Sequence, residues 1–390
     1  MRAEPLIPRL RPFRSSIFAE MSATATRTGS INLGQGFPDV DGPASVAEAA
    51  VAAIRGGLGN QYPPSIGVEP LREAVAAHQQ REYGLTWDPS TEVVVTAGAS
   101  EALAAALLGL VDDGDEVVTF EPYFDMYLSL VTEARGRLVP VRLDAPDFVL
   151  DEERLRSAVT ERTRVLLVNS PHNPTGAVLD ENERQAVARI AVEHDLIVVT
   201  DEVYEHMAFD RPHVPLATLP GMRERTITIS SAGKSFSFTG WKIGWATAVP
   251  ELLGAVVTTK QFLSFASGGP FQHAIAYALG HEMTWVKELG VDLERRRDLL
   301  CAGLANVGMT VNRPAGTYFV TTDVRPLGWD DGLQFCRELP ALAGVAAIPC
   351  SAFYVEPDAD ARALVRWTFT KRDDVLAEAL GRLSDADLTR

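Results

Sequence analysis

Cysteine is scarce. Cys301, Cys336 and Cys350 are widely spaced, odd in number and form no CxxC pair. Neither a zinc site nor a disulfide framework is therefore indicated, and free or buried thiols in a reducing compartment are expected. Basic charge is scarce too. The 36 Lys and Arg residues face 52 Asp and Glu, a net charge of −16 that disfavours a nucleic-acid partner and needs no explanation beyond solubility. Long apolar runs are missing: Ala102 to Val111 is too short to span a bilayer and reads as a buried helix, so no membrane partner is expected. The first fourteen residues carry Arg2, Arg9, Arg11 and Arg14 without an apolar core, which argues against a secretory signal and for a cytoplasmic location. His78, His194, His213, His273 and His281 show no metal-ligand spacing, a turn explains His172, and no metal is expected.

What is present is an alternation. With 46% hydrophobic residues, 390 positions leave room for one large and one smaller domain. Strand-like runs occur at Glu92–Thr96, Glu116–Phe120, Leu138–Arg142, Val165–Val168, Leu196–Thr200, Thr226–Ser230 and Ile243–Val249. Several are continuously apolar, as in a sheet covered on both faces. Helical patterns such as Glu181–His194 lie between most of them, which predicts a three-layer α/β domain. The pattern changes near residue 281, where a charged helix over Trp285–Asn306 precedes short strands at Tyr318–Thr322 and Arg366–Thr370. Residues 1–43 hold five prolines and the loop Gly34-Gln35-Gly36-Phe37-Pro38-Asp39, and read as an arm. The expected layout is an arm over 1–43 packing with the small domain, a large domain over 44–280 and a small α+β domain over 281–390.

Lys234 is the most informative residue. It follows the apolar run Thr226-Ile227-Thr228-Ile229 within Ser230-Ser231-Ala232-Gly233-Lys234-Ser235, and Lys242 comes eight positions later. A lysine at a strand end among hydroxyls and glycines can form a Schiff base with a carbonyl. Taken alone it would be a surface lysine in a loop, but other segments argue otherwise. Asn169-Ser170-Pro171-His172-Asn173-Pro174-Thr175-Gly176 is a turn after an apolar strand. Asp201 stands at the carboxyl end of Leu196–Thr200, where open α/β sheets bind ligands, although an acid there is also a common helix cap. Ala97-Gly98-Ala99-Ser100-Glu101 leads from a strand into a helix whose free N–H groups suit a phosphate. Arg366, in Leu364-Val365-Arg366-Trp367, places a guanidinium in an apolar strand, where it needs a carboxylate.

Together these segments resemble the class I/II aminotransferases, pyridoxal-phosphate enzymes of fold type I, from Asn32-Leu33-Gly34-Gln35-Gly36 to Arg366. Within that family the chain is similar to the kynurenine/glutamine aminotransferase-like branch through Gly34-Gln35-Gly36-Phe37-Pro38-Asp39, Asn60-Gln61-Tyr62 and Gly240-Trp241-Lys242. Pro171-His172-Asn173, Ala347-Ile348-Pro349 and Gly268-Gly269-Pro270-Phe271-Gln272 give a finer likeness to bacterial N-succinyldiaminopimelate aminotransferases. The resemblance implies an α/β fold with a mostly parallel seven-stranded sheet in a three-layer large domain, plus a smaller α+β domain.

It also implies roles. Lys234 would bind pyridoxal 5′-phosphate and shuttle the substrate proton. Asp201 would face the pyridine nitrogen; at about 4 Å and an effective dielectric near 20 the attraction is about 4 kcal/mol, or about three pKa units. Asn173 and Tyr204 would bond the phenolic oxygen. The N–H of Ala99, with Ser100, Ser231 and Lys242, would hold the phosphate. Phe124 would stack on the ring, with Tyr123 as the alternative. Tyr62 would reach the phosphate of a neighbouring subunit, making a homodimer with shared sites. Arg366 would grip the substrate carboxylate, the backbone at Gly36 would close over it, and Phe18 would line the side-chain pocket. Glycines near Ser267-Gly268-Gly269 would leave that pocket roomy.

The implied reaction exchanges an amino group between an amino acid, with glutamate expected as donor, and a 2-oxo acid, with N-succinyl-2-amino-6-oxopimelate of lysine biosynthesis the leading acceptor. Kynurenine, methionine or glutamine transamination is the runner-up, and a cysteine-S-conjugate or cystathionine β-lyase the alternative. A regulator's effector domain is not expected, because the short segment before the family-like region holds no helix-turn-helix pattern.

Overall fold

The computed structural model describes residues 4–390; Met1 to Ala3, at the head of the expected arm, lie outside the described residues. The arm is structured. A helix over Ile17–Thr28 is capped by the Ser16 hydroxyl and closed by Gly29 in the left-handed region (φ 64°), a conformation glycine adopts without steric cost. A two-residue strand, β1 (Ile31–Asn32), follows.

One sheet comprises β2 (Val93–Ala97), β3 (Glu116–Glu121), β4 (Arg137–Arg142), β5 (Thr163–Asn169), β6 (Ile197–Asp201), β7 (Thr226–Ser231) and β8 (Ile243–Thr247). Its order is β2-β8-β7-β6-β5-β3-β4. All neighbours run parallel except β8, which is antiparallel to both β2 and β7. The continuous apolar runs have a physical cause. Along β5, Val165 and Leu167 pack with the helices Gly98–Leu110 and Met126–Glu133, while Leu166 and Val168 pack with Val187 and Ile190 of the helix Glu181–Glu193 on the other face. Successive side chains point to opposite faces, so a sheet covered twice needs apolar residues at every position. The helix Glu181–Glu193 starts with a capping box between Asp180 and Glu183.

Beyond the long helix Met283–Asn306, β9 (Thr310–Asn312), β10 (Phe319–Asp323), β12 (Ile348–Pro349) and β13 (Leu364–Thr368) form an antiparallel sheet in the order β12-β13-β10-β9, and β11 (Val345–Ala346) pairs in parallel with β1. Contacts from the arm reach this region: Glu20 pairs with Arg337 at 2.9 Å, and Asp39 Oδ1 accepts from Arg372 N at 2.8 Å.

Two expected strands end early. The run expected over Ile243–Val249 leaves the sheet at Thr247, because Val249 precedes Pro250 and caps the next helix. The strand expected over Arg366–Thr370 spans Leu364–Thr368, and Thr370 N instead turns back to Thr368 Oγ1 at 3.4 Å. Among the described residues, no helix is long and apolar enough to cross a membrane.

Candidate active site

The parallel strands β5, β6 and β7 end side by side at Asn169, Asp201 and Ser231, and a cavity of about 220 Å³ opens there. Carboxyl ends of parallel strands are where α/β sheets place ligands. The cavity brings together Lys234, Asp201, Tyr204, Asn173, Phe124 and Arg366. Phe18, Gly36, Ala99, Ser100, Ser231 and Lys242 also line it.

One end is built for an anion. The helix Gly98–Leu110 points its N-terminus at the cavity, and Lys242 Nζ donates to Ser100 Oγ at 3.2 Å. β8 runs close beneath: a Cβ on Gly244 would lie 2.5 Å from the Gly98 carbonyl carbon and 2.6 Å from Ala99 N, so only glycine lets the strand bring Lys242 here. Burial, helped by the charge of Lys234, lowers the Lys242 pKa. Free helix N–H groups, two serine hydroxyls and a confined ammonium form a donor set that fits a phosphate.

The middle holds a carboxylate and an amine. Asp201 is buried, and Oδ2 accepts from the Tyr127 hydroxyl at 2.7 Å, while Val203 N approaches Oδ1 at 3.4 Å. Burial pushes its carboxyl up to about 6, against the opposing effects of the Tyr127 and Val203 hydrogen bonds and the Lys234 charge. Lys234 Nζ donates to the Tyr318 hydroxyl at 2.8 Å, and that hydroxyl donates to Gly36 O at 2.5 Å. The Tyr204 and Tyr318 rings meet edge to face at 5.2 Å beneath this amine. A carboxylate facing a slot beside a lysine, with a phosphate cradle at one end, fits pyridoxal 5′-phosphate.

The far end holds a buried cation. Arg366 is 1% exposed. Nη1 donates to Asn173 Oδ1 and Nη2 to Gly34 O, each at 2.8 Å, and Nε is buried without a partner. Three rings box the guanidinium: Phe319 at 3.9 Å, Phe18 at 5.0 Å and Phe353 at 5.1 Å. Among the described residues no carboxylate pairs with it, and burial lowers its pKa to about 10. A buried cation held by neutral acceptors is costly until an anion arrives.

Several expectations are refined. Between the two aromatic candidates, Phe124 faces the cavity; Tyr123 lies behind it, its backbone N bonded to Phe353 O at 2.9 Å. Tyr62 is not brought to the cavity of its own chain; it is 85% exposed and rests edge-on against Phe265. The glycines at 268 and 269 do not widen the pocket. A Cβ on Gly268 would meet Ile243 Cδ1 at 2.4 Å and one on Gly269 would meet Gly59 Cα at 2.8 Å, so close packing requires them.

Sequence reasoning missed Tyr127, Tyr318, Asn169 and a buried network behind the cavity. Asn169 Nδ2 donates to Asp201 O at 2.7 Å, and its Oδ1 accepts from Asn173 N at 2.8 Å, tying two site residues together. In the network, Glu205 accepts from the hydroxyls of Tyr83 and Ser230, and His78 Nε2 lies 3.0 Å from His206 Nε2. Burial lowers the pKa of both imidazoles, that of His206 to about 4. The two histidines stand 128 residues apart, so no spacing rule could pair them. Tyr127 was reachable, because it stands three positions after Phe124, at the start of the helix that follows.

Comparison with known proteins places this geometry. Residues 28–383 match the family model for aminotransferase class I and II. The chain is 54% identical to a protein of Mycobacterium tuberculosis named probable N-succinyldiaminopimelate aminotransferase, over 97% of this chain and 98% of that one. It is 36% identical to the methionine aminotransferase of Escherichia coli, over 98% and 99% of the two chains. The solved structure of N-succinyldiaminopimelate aminotransferase from M. tuberculosis superposes with a TM-score of 0.95 at 55% identity, covering 97% of this chain and 99% of that one.

Proposed function

The chain belongs to the class I and II aminotransferases, and from that premise we propose that its substrates are glutamate and N-succinyl-2-amino-6-oxopimelate, in lysine biosynthesis. The enzyme is a pyridoxal-phosphate-dependent aminotransferase that exchanges an amino group between an amino acid and a 2-oxo acid. The observation that carries the substrate reading is 54% identity, over nearly the full length, to the M. tuberculosis protein of that name. The 36% identity to a methionine aminotransferase supports a second reading, a broad specificity for methionine, kynurenine or glutamine.

The residues act as follows in this reading. Bound pyridoxal 5′-phosphate supplies an electron sink that makes the substrate Cα–H acidic. Lys234 Nζ would take that proton and return it to the cofactor carbon on the other side of the transferred nitrogen. Asp201 would hold the proton on the ring nitrogen, Tyr204 and the amide nitrogen of Asn173 would donate to the phenolic oxygen, and Phe124 would cover the ring. The helix N-terminus at Ala99, with Ser100, Ser231 and Lys242, would anchor the phosphate. Arg366 binds the substrate carboxylate in bidentate fashion as its neutral acceptors, Asn173 Oδ1 and Gly34 O, give way. The Gly36 carbonyl, latched by Tyr318, closes that end and excludes water. Phe18 borders the side-chain pocket.

The reading includes a homodimer in which Tyr62 reaches the phosphate of the neighbouring copy. Its support is the exposure of Tyr62 at 85%, edge-on to the exposed Phe265, whose chain neighbours Phe262 and Leu263 are 81% and 50% exposed. It also keeps the division into an arm to 43, a large domain to 280 and a small domain thereafter, and a cytoplasmic location. The test is a titration of cofactor-loaded enzyme with glutamate, N-succinyl-diaminopimelate, kynurenine, methionine and cystathionine, following the cofactor's absorbance and the oxo acid released. Response to the succinylated donor well above the others supports the reading. Response chiefly to methionine or kynurenine replaces it with the broad-specificity one, and pyruvate with ammonia from cystathionine would point to β-elimination.

A further inference from the structure

Asp201 is poorly supported for a group assigned to hold a proton on a cofactor. Among the described residues its carboxylate has one short hydrogen bond, from the Tyr127 hydroxyl to Oδ2 at 2.7 Å; the approach of Val203 N to Oδ1 is long at 3.4 Å. Lys234, the nearest cation, is turned to Tyr318 and Gly36 instead. Tyr127 is itself 1% exposed. Against a carboxylate a phenol can act only as donor, and burial together with the Asp201 charge raises its own pKa, so the proton stays on the phenol.

Its place in the chain matters as much. Tyr127 N donates to Phe124 O at 2.9 Å, and the two rings meet edge to face at 5.8 Å. The residue assigned to the ring face and the residue behind the carboxylate are therefore joined by one hydrogen-bonded turn leading into the helix Met126–Glu133. Packing alone does not explain the hydroxyl, since phenylalanine would fill the same volume.

We propose that Tyr127 is a positioning residue for amino transfer: its hydroxyl fixes the orientation of the Asp201 carboxylate and keeps it anionic toward the ring nitrogen of the cofactor. This rests on the reading of Asp201 given above. A carboxylate that loses its donor in a dry site is harder to ionise and free to rotate, so its hold on the ring proton weakens at both counts.

The test is a double-mutant cycle of Tyr127→Phe and Asp201→Asn in full-length protein, read by kcat against pH, by equilibrium dialysis of pyridoxal phosphate, and by melting of the cofactor-free forms. Tyr127→Phe is expected to lower kcat about tenfold or more, the scale of a hydrogen bond to a charged group, with little change in KM for the amino acid. The acid limb of the profile should move to higher pH by about one unit, and cofactor should be lost severalfold more readily. In the Asp201→Asn background the same substitution should cost less than about twofold, because the hydroxyl has no charge left to hold. An equal cost in both backgrounds, or an unmoved acid limb, overturns the inference and leaves Tyr127 as packing. Dialysis keeps the test informative even if catalysis falls below detection. Asp201→Asn without effect on either readout would instead overturn the reading of Asp201.

Discussion

Two arginines in this molecule are shut off from solvent, and only one is paired with carboxylates. Arg297, on the helix Met283–Asn306, is fully buried and bonds Asp298 at 2.9 Å, Asp210 at 3.1 Å and Glu294 at 3.2 Å. Burial works against its charge, but the carboxylates of Asp298 and Asp210 outweigh it and hold its pKa above the ordinary value. Arg366, on β13, is 1% exposed and meets only neutral oxygens and aromatic faces. A charge whose partners are all internal is spent on the fold. A charge left with neutral acceptors is available to a ligand. Asp201 belongs with Arg366 in this respect, since a neutral phenol is its close partner. The two unpaired charges face one cavity from opposite sheets, one suited to a cationic ring nitrogen and the other to an anionic substrate.

The largest expected effect removes the chemistry between them. Lys234→Ala should abolish amino transfer and the absorbance of the lysine-bound cofactor, with the protein still folded; multiple turnovers by this variant would end the assignment.

The next pair sets the two arginines against each other. Arg366→Leu should raise KM for the amino acid about a hundredfold or more, the scale of two lost charge-assisted hydrogen bonds, while denaturant stability holds or improves because an uncompensated buried charge is gone. Arg297→Leu should do the reverse. Stability should fall by roughly 2–4 kcal/mol, since three carboxylates lose their cation, with KM unchanged. Equal losses of stability in the two variants would erase the distinction.

A pH experiment extends the contrast to Asp201. Its carboxyl titrates near 6 in the folded chain against an ordinary value of 3.8. Between those values the folded state holds a proton that the unfolded state has released, so this group's contribution to stability falls as pH rises from about 4 to about 6. The stability of cofactor-free wild type relative to Asp201→Asn should therefore drop by up to about 3 kcal/mol over that window. Chemical denaturation at several pH values measures it, and a flat difference contradicts the burial account. The smallest effect is expected at Arg313, whose pairs with Asp210 and Asp298 are half exposed. Arg313→Ala should cost under about 1 kcal/mol and leave KM unchanged, separating the rim of the Arg297 network from its core.

The sequence was legible where a physical constraint acts on neighbouring residues. A sheet covered on both faces forces continuous apolar strands, so β5 and β6 stand out, and a helix N-terminus after a small-residue turn marks the phosphate end. Strand limits slipped where a proline or a local turn ended the ladder, as at Val249 and Thr370. The two-residue β1 and β11 are too short to carry a pattern. Arg366 could be singled out because a guanidinium in an apolar run is anomalous by itself, whereas Arg297 sits in a charged helix and looks ordinary. That its burial is complete, and that Tyr318 meets Lys234 or His78 meets His206, depends on contacts across 84 and 128 residues, which only the folded topology supplies.

The most direct test of the account is the half-reaction of cofactor-loaded wild type and Arg366→Leu with N-succinyl-diaminopimelate, followed as the fall in cofactor absorbance against donor concentration. The account predicts saturation in wild type and a half-saturation point shifted upward about a hundredfold or more in the variant. An unshifted curve would mean that the unpaired guanidinium does not receive the substrate carboxylate, and the reading of the cavity's far end would be wrong.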